Sequence, residues 1–540
     1  MSGSRRPFPW KLAAVALALL GFTLTALHAW LSDDAFITLR TVDNLLAGRG
    51  WTWNPGERVQ TYTHPLWMLV LAGAGAVTGE RYVSIYGASL ACSAAFLAGL
   101  VLLHGRHPRS LALALLALTA SKSFVDFGTG GLENPLLHVL LCVGYWALWE
   151  LAAGTRQVAF LSLATALGAL TRLDALLLFA PAWCVALARA RTVATPGTRP
   201  SRLALAVGLG FLPLLAWEAF SLVYYGFLLP NTYYAKLATD VPWTEYALQG
   251  GRYVLSTSVT DPLAILLVLV AIVASLARER RHLLPAAVAC VAWLVYMARI
   301  GGDFMVGRHF TPAIVLSALI LARTTWRPRL HVALATAIVA AGILAPLSPW
   351  RYSRRYDTEL VRERMGPVRL LRGIGDERAG GYPTNGLFRP GRSGEDVDHP
   401  WASQGRRLRA ALEADPETPR VHVAGATGMM PFFAGPAFHI VDPLGLGDPL
   451  LARIPWIDPA RSRVGHYCRF LPEGYLETLA TGENRIVDPD LAAYYAELRL
   501  VVASPDLWSK RRLGAILGFA TGRFDSLRDA YVERGTAEPP

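Results

Sequence analysis

The stretch Leu31-Ser32-Asp33-Asp34-Ala35-Phe36 sets two adjacent carboxylates directly after the first apolar run, Lys11 to Trp30. A carboxylate in such a place can take the proton of an attacking hydroxyl. Repulsion between the neighbours raises the pKa of one of them, and successive side chains point apart, so only one faces a given centre. Helix N-capping is the competing use of Asp here. Ala35, Leu39, Val42 and Leu46 follow at helical spacing, which predicts a helix lying in a membrane interface.

Beyond this pair, Trp53-Asn54, Glu57-Arg58 and Tyr62-Thr63-His64 mix aromatic faces with amide, carboxylate, guanidinium and imidazole groups. Flat rings for C–H groups and polar edges for hydroxyls suit a sugar; an aromatic belt at the bilayer surface uses the same residues. Glu133 and Asn134, Asn231 with Tyr233 and Tyr234, and Asp303 extend this candidate sugar or acceptor set along the chain. Four further side chains, Arg308, Lys236, His309 and Arg172, form a candidate set for a lipid phosphate, bound by charge-assisted hydrogen bonds. Headgroup snorkelling is their alternative use, and Arg172-Leu173-Asp174 also reads as a structural ion pair. In the polar tail, Asp442 to Pro449 is dense in Gly and Asp, which predicts tight turns. No Cys or His spacing matches a metal motif, and the sequence calls for no metal or cofactor.

The elements that must position these groups follow from composition. Of 540 residues, 53% are hydrophobic and 17% charged, too few charges to clothe several soluble domains. The net charge is +12, but the cations gather in short loops between apolar runs, which excludes nucleic acid and follows the positive-inside pattern. Apolar runs fall at Lys11 to Trp30 and near 82–103, 110–123, 135–152, 157–170, 174–189, 203–224, 262–277, 284–300, 309–322 and 330–347. The run 64–77 is short for a span. Leaving it in the interface puts Arg106/Arg109, Arg189/Arg191/Arg199/Arg202, Arg278/Arg280/Arg281 and Arg323/Arg327/Arg329 all inside.

That register predicts an α-helical polytopic protein of about 11 transmembrane helices. Its N-terminus is an uncleaved cytoplasmic anchor, and the motif-bearing loops 31–81, 121–134, 225–261 and 301–308 lie outside. A transmembrane domain of residues 1–349 is followed by an extracytoplasmic α/β domain of 350–540, with Val421 to Ala424 as a strand and Pro489 to Leu498 as a helix. Within that tail, 373–400 reads as a mobile loop.

Together the motifs resemble the GT-C glycosyltransferases, in which an acidic pair follows the first span and the first external loop holds interfacial helices. The stretches Asp33 to Ile37, Asn54 to Val59, Tyr62 to Trp67, Thr129 to Pro135, Pro230 to Lys236, Gly302 to Met305, Gly307-Arg308 and Gly445 to Pro449 are most similar to the terminal β-arabinofuranosyltransferase group of mycobacterial cell-wall synthesis. The resemblance implies a bacterial plasma-membrane enzyme with a decaprenyl-phospho-arabinofuranose type donor and an arabinan-type glycan acceptor. Asp33 is first choice for the base, Asp34 second. Membrane lipids are the other partners, and the chain is read as a monomer. Relatives that decorate pilin, flagellin or lipopolysaccharide share the loop motifs, and a lipid-linked sugar transporter is a rival class.

Overall fold

A computed structural model describes residues 9–192, 199–237, 241–365, 373–391, 397–456 and 465–535. It is predominantly helical, and a helix stands at every predicted apolar run. Five helical stretches are long and apolar enough to cross a membrane: Trp10–Leu27, Arg81–His104, Leu173–Thr192, Pro200–Tyr224 and Arg278–Arg299. The pair Trp243–Thr260 and Pro262–Ser275, bent by 105°, brings these to six if it counts as one span. Other apolar helices, among them Pro65–Thr78, Pro108–Ala120 and Pro328–Leu344, are shorter.

The chain folds into two compact units, and their boundary is not a single cut at 349/350. The first unit takes Met1–Ser32, Ile85–Pro213 and Trp243–Asp396; the second takes Asp33–Ser84, Leu214–Pro242 and Val397–Pro540.

In the first unit Thr311–Arg323 is the central helix. Every residue from Thr311 to Ala322 is buried, so it is apolar on all sides, as a helix enclosed by others must be. Asn134–Glu150, Pro108–Ala120, Pro262–Ser275 and Leu284–Arg299 pack around it. Proline in the first turn starts several of these helices, where its missing N–H costs nothing. The 105° bend has the same local cause: Pro262 ends the preceding helix, and the Asp261 carboxylate caps the next by accepting from Ala264 N–H.

Two expectations change here. The loop 225–261 contains the 18-residue helix Trp243–Thr260, which the polar residues Glu245, Gln249, Arg252 and Ser256 to Ser258 concealed from an apolar-run reading. The segment read as mobile instead contains the helix Glu377–Asn385, with Arg378, Tyr382 and Asn385 buried; residues 392–396 of that stretch lie outside the described residues.

The second unit contains Asp33–Leu46, Pro65–Thr78, Asn231–Lys236 and the end of Pro200–Tyr224. Its sheet, among the described residues, is one parallel pair, Val421–Val423 and His439–Val441, with Val421 opposite His439. Helix Met429–Ala434 connects the two strands. Pro489–Ala503 forms where expected, its N-terminus capped by Asp488, which accepts from Asp490 and Leu491 N–H. An apolar cluster including Val59, Leu450, Tyr475, Leu498 and Val502 forms a core of this unit.

Candidate functional site

Asp33 and Asp34 open helix Asp33–Leu46, and both side chains are half-buried. The Asp33 carboxylate accepts two backbone hydrogen bonds, Oδ2 from Gly428 N–H at 3.0 Å and Oδ1 from Met429 N–H at 2.7 Å. Gly428 approaches so closely that a Cβ there would lie 1.9 Å from the Asp33 carbonyl oxygen. Two turns along, Arg40 is buried and donates to Pro431 O, to Gly435 O at 3.0 Å and to Phe438 O at 2.9 Å. One helix therefore holds Met429–Ala434 at both ends, an acid on the orphan N–H groups and a guanidinium on the last carbonyls.

Burial pushes the Asp33 carboxyl up to about 7, with Asp34 adding to it and the Met429 and Gly428 N–H groups opposing it. The raised value anticipated from carboxylate repulsion is present, but burial is its main cause.

The predicted sugar and acceptor residues separate between the units. In the second unit Trp53, Asn54, Glu57, Tyr62, His64 and Asn231 are all buried. Most serve the backbone or each other. Asn54 pairs with Ile440 through both its amide atoms, and Asn231 donates to the carbonyls of Gly445, Leu446 and Asp448. His64 Nε2 lies 2.8 Å from Thr38 Oγ1, and the Tyr62 and Tyr225 hydroxyls meet at 2.8 Å. Arg58 donates to Tyr224 O at 3.1 Å. Tyr233 is exposed, whereas Tyr234 stacks under the Arg453 guanidinium at 4.2 Å. Lys236 is half-buried at the end of Asn231–Lys236. The turns anticipated in the tail are present: Asp442 accepts from the N–H groups of Leu444, Leu446 and Gly447, and Asp448 from those of Leu450 and Leu451.

A second acidic centre in this unit was not legible in the sequence. Burial raises both the Glu57 and Asp448 carboxyls to about 7. His439 Nε2 lies 3.8 Å from Glu57 Oε2, and the Tyr475 hydroxyl donates to Asp448 at 2.9 Å. A cavity of about 260 Å³ opens beside Pro55, Arg420, Phe438 and His439. Glu57 and Asp448 each belong to a noticed motif, but nothing in local spacing pairs positions so far apart.

In the first unit Arg172, Arg308, Glu133, Asp174, Asp303 and His309 form one network, in which Glu133, Asp303, Arg308 and His309 are buried and Arg172 and Asp174 half-buried. Arg172 grips Asp174 with two hydrogen bonds, at 2.9 and 2.7 Å, and donates to Glu133 at 2.9 Å. Arg308 shares Glu133 at 3.2 Å and reaches Asp303 at 3.5 Å. His309 Nε2 lies 3.6 Å from the same Asp303 oxygen. Asn134 donates to Thr311 Oγ1 at 2.9 Å and to Arg308 O at 3.3 Å. Glu133 is fully enclosed, a bridge between two guanidinium groups rather than an open turn residue. With two arginines against three carboxylates, these cations are already matched within the protein.

A second buried network in this unit was also missed. Lys122 contacts Asp126 at 2.6 Å and Asp376 at 3.0 Å, and Arg378 contacts Asp126 at 3.3 Å. The Arg378 guanidinium lies 4.1 Å from the Tyr356 ring centre. It fastens helix Glu377–Asn385 to the short helix Lys122–Asp126.

No protein-family model matches the chain. Among curated proteins it is similar to a terminal β-(1→2)-arabinofuranosyltransferase of Mycobacterium tuberculosis, 29% identical over a 338-residue alignment that covers 55% of this chain and 53% of the relative. The protein of the same name from Corynebacterium glutamicum is 30% identical over a 355-residue alignment that covers 55% of this chain and 48% of the relative. The chain thus spans about half the length of these curated relatives. Among solved structures, ArnT from Cupriavidus metallidurans bound to undecaprenyl phosphate has a TM-score of 0.49 at 15% identity, covering 81% of this chain and 87% of that one. Over 55% of its length, this chain is similar in sequence to terminal β-(1→2)-arabinofuranosyltransferases.

Proposed function

We propose that this chain is a polytopic membrane glycosyltransferase of GT-C type. It transfers a sugar, D-arabinofuranose, from a decaprenyl-phosphate type donor to an arabinan-type glycan on the outer face of a bacterial plasma membrane. The observation that carries this reading is the similarity to two arabinofuranosyltransferases over 55% of the chain. The surroundings of Asp33 support this reading. A carboxyl raised to about 7 is balanced to accept a proton near neutral pH, and we assign Asp33 this role toward the acceptor hydroxyl. The departing phosphate needs cationic stabilisation more than a proton. We assign this to Arg308, which donates to Glu133 at 3.2 Å and reaches Asp303 at 3.5 Å.

The test is the full chain in proteoliposomes, given a series of polyprenyl-phosphate sugars and an arabinan acceptor. Acceptor-dependent release of polyprenyl phosphate from the arabinofuranose donor is the expected result. Release from a different sugar donor alone would change the substrate. Movement of intact donor across the bilayer without release would make the chain a transporter. The anomeric configuration of the product then separates a single displacement from a double one.

A further inference from the structure

Helix Lys510–Ala520, near the C-terminus, is apolar on both sides. Its packed side carries Ala515, Ile516 and Gly518 around the enclosed Arg512. Its open side carries Leu513, Gly514, Leu517 and Ala520, and Trp508 stands exposed just before the Ser509 cap. Leu513 is 41% exposed, Leu517 64% and Trp508 68%. A helix whose open side faces water carries polar residues there. Here the polar residues sit at the ends instead, Lys510 and Arg511 at one and the exposed Arg523 just past the other.

The position of this helix is fixed by Arg512. Its side chain donates to Val223 O at 2.8 Å and Tyr224 O at 3.0 Å, the last two carbonyls of Pro200–Tyr224. Gly226 then turns the chain so tightly that a Cβ would lie 2.1 Å from Val501. Helix Pro200–Tyr224 is one of the five stretches able to cross a membrane, and Leu215 and Leu222 on its last turns are exposed. Its 25 residues extend roughly 37 Å, more than the ~30 Å hydrocarbon core. Its end therefore reaches the interfacial layer, and Lys510–Ala520 is bonded to that end.

We propose that Lys510–Ala520, with Trp508, is an interfacial membrane helix: Leu513, Leu517 and Trp508 enter the lipid at the headgroup boundary while Lys510, Arg511 and Arg523 meet anionic headgroups. The occupant of the apolar face is the bilayer that Pro200–Tyr224 crosses. The charge pattern favours it, as cations flanking an apolar stripe complement a negative surface.

The experiment places a polarity-sensitive fluorophore on a single cysteine at Leu517. The protein is the full chain in nanodiscs containing anionic lipid, in a background whose native cysteines are replaced. Glu413, exposed on helix Pro400–Ala414 of the same unit, carries the control label. The Leu517 label should emit to the blue of the control, be quenched by lipids spin-labelled near the headgroup, and be shielded from aqueous iodide. A label at Leu513 repeats the measurement should the first variant misfold. Emission and iodide access equal to the control at both positions would overturn the proposal. Shielding from iodide without quenching by lipid would give the face to a second copy or another protein, and would overturn it equally.

Discussion

Asp33 clamps the strand-connecting helix Met429–Ala434 and is proposed as a base, and substitution separates the two roles. Asp33→Asn removes the charge but keeps one acceptor for two N–H donors. Turnover should fall by roughly two to four orders of magnitude while donor-lipid binding, measured by equilibrium partition, is retained. Loss of both together would leave only the clamp, and normal turnover paired with an inactive Asp34→Asn would move the base one residue along. The sign of the pH dependence follows from the raised carboxyl: Asp33 is protonated below about 7, so with Asp33 in the proposed role turnover should rise as pH climbs through that value. Gly428→Ala places a methyl against the Asp33 backbone and should impair turnover although it changes no functional group. Arg308→Ala should weaken donor binding by about 2–3 kcal/mol; unchanged donor affinity would leave Arg308 as a structural partner of Glu133. The acidic pair was legible because it sits beside an apolar run. Its partners were not, because Gly428 is 395 residues away and carries no side chain to advertise a contact.

At the scale of elements, apolar runs marked helices well, since burial among other helices selects side chains by transfer free energy alone. The reading failed where polarity is itself the packing device. Trp243–Thr260 is amphipathic, and Glu377–Asn385 is fastened by charge. Burial alone would raise the Asp126 carboxyl, but Lys122 and Arg378 outweigh it and hold it below its ordinary value of 3.8. A depressed carboxyl contributes stability that is complete above that value and is lost as pH falls further toward the folded pKa. Asp126→Asn leaves Lys122 and Arg378 enclosed with Asp376 as the remaining carboxylate. It should cost about 3–5 kcal/mol, visible as a lowered Tm and as faster proteolysis of 373–391. An unchanged Tm would mean that the network contributes little.

For the whole molecule, membrane character was legible from composition, whereas the division into units was not. A reader of the sequence sees a polar tail after an apolar body, because composition shifts once. Packing divides the chain differently, since Asp33–Ser84 and Leu214–Pro242 complete the unit that Val397–Pro540 begins. A chain stopped near Arg351 is therefore not the first domain alone. It retains Arg40 and Asn54 without the carbonyls of Pro431, Gly435, Phe438 and Ile440 that satisfy them. Such a truncate should show the first loop, 33–84, cleaved rapidly by added protease, where the full chain protects it.

The bond from Arg40 to Phe438 spans 398 positions, and this has a consequence for biogenesis. The ribosome delivers Arg40 long before it delivers Phe438, so the early loop must wait, already translated, for its partners. At ~5–20 residues per second that delay is roughly 20–80 s, during which a guanidinium and an amide destined for burial stand hydrated. The order of synthesis thus keeps Asp33 without its backbone donors until Gly428 and Met429 arrive, and a nascent protein whose translation stalls before Gly428 lacks both of them.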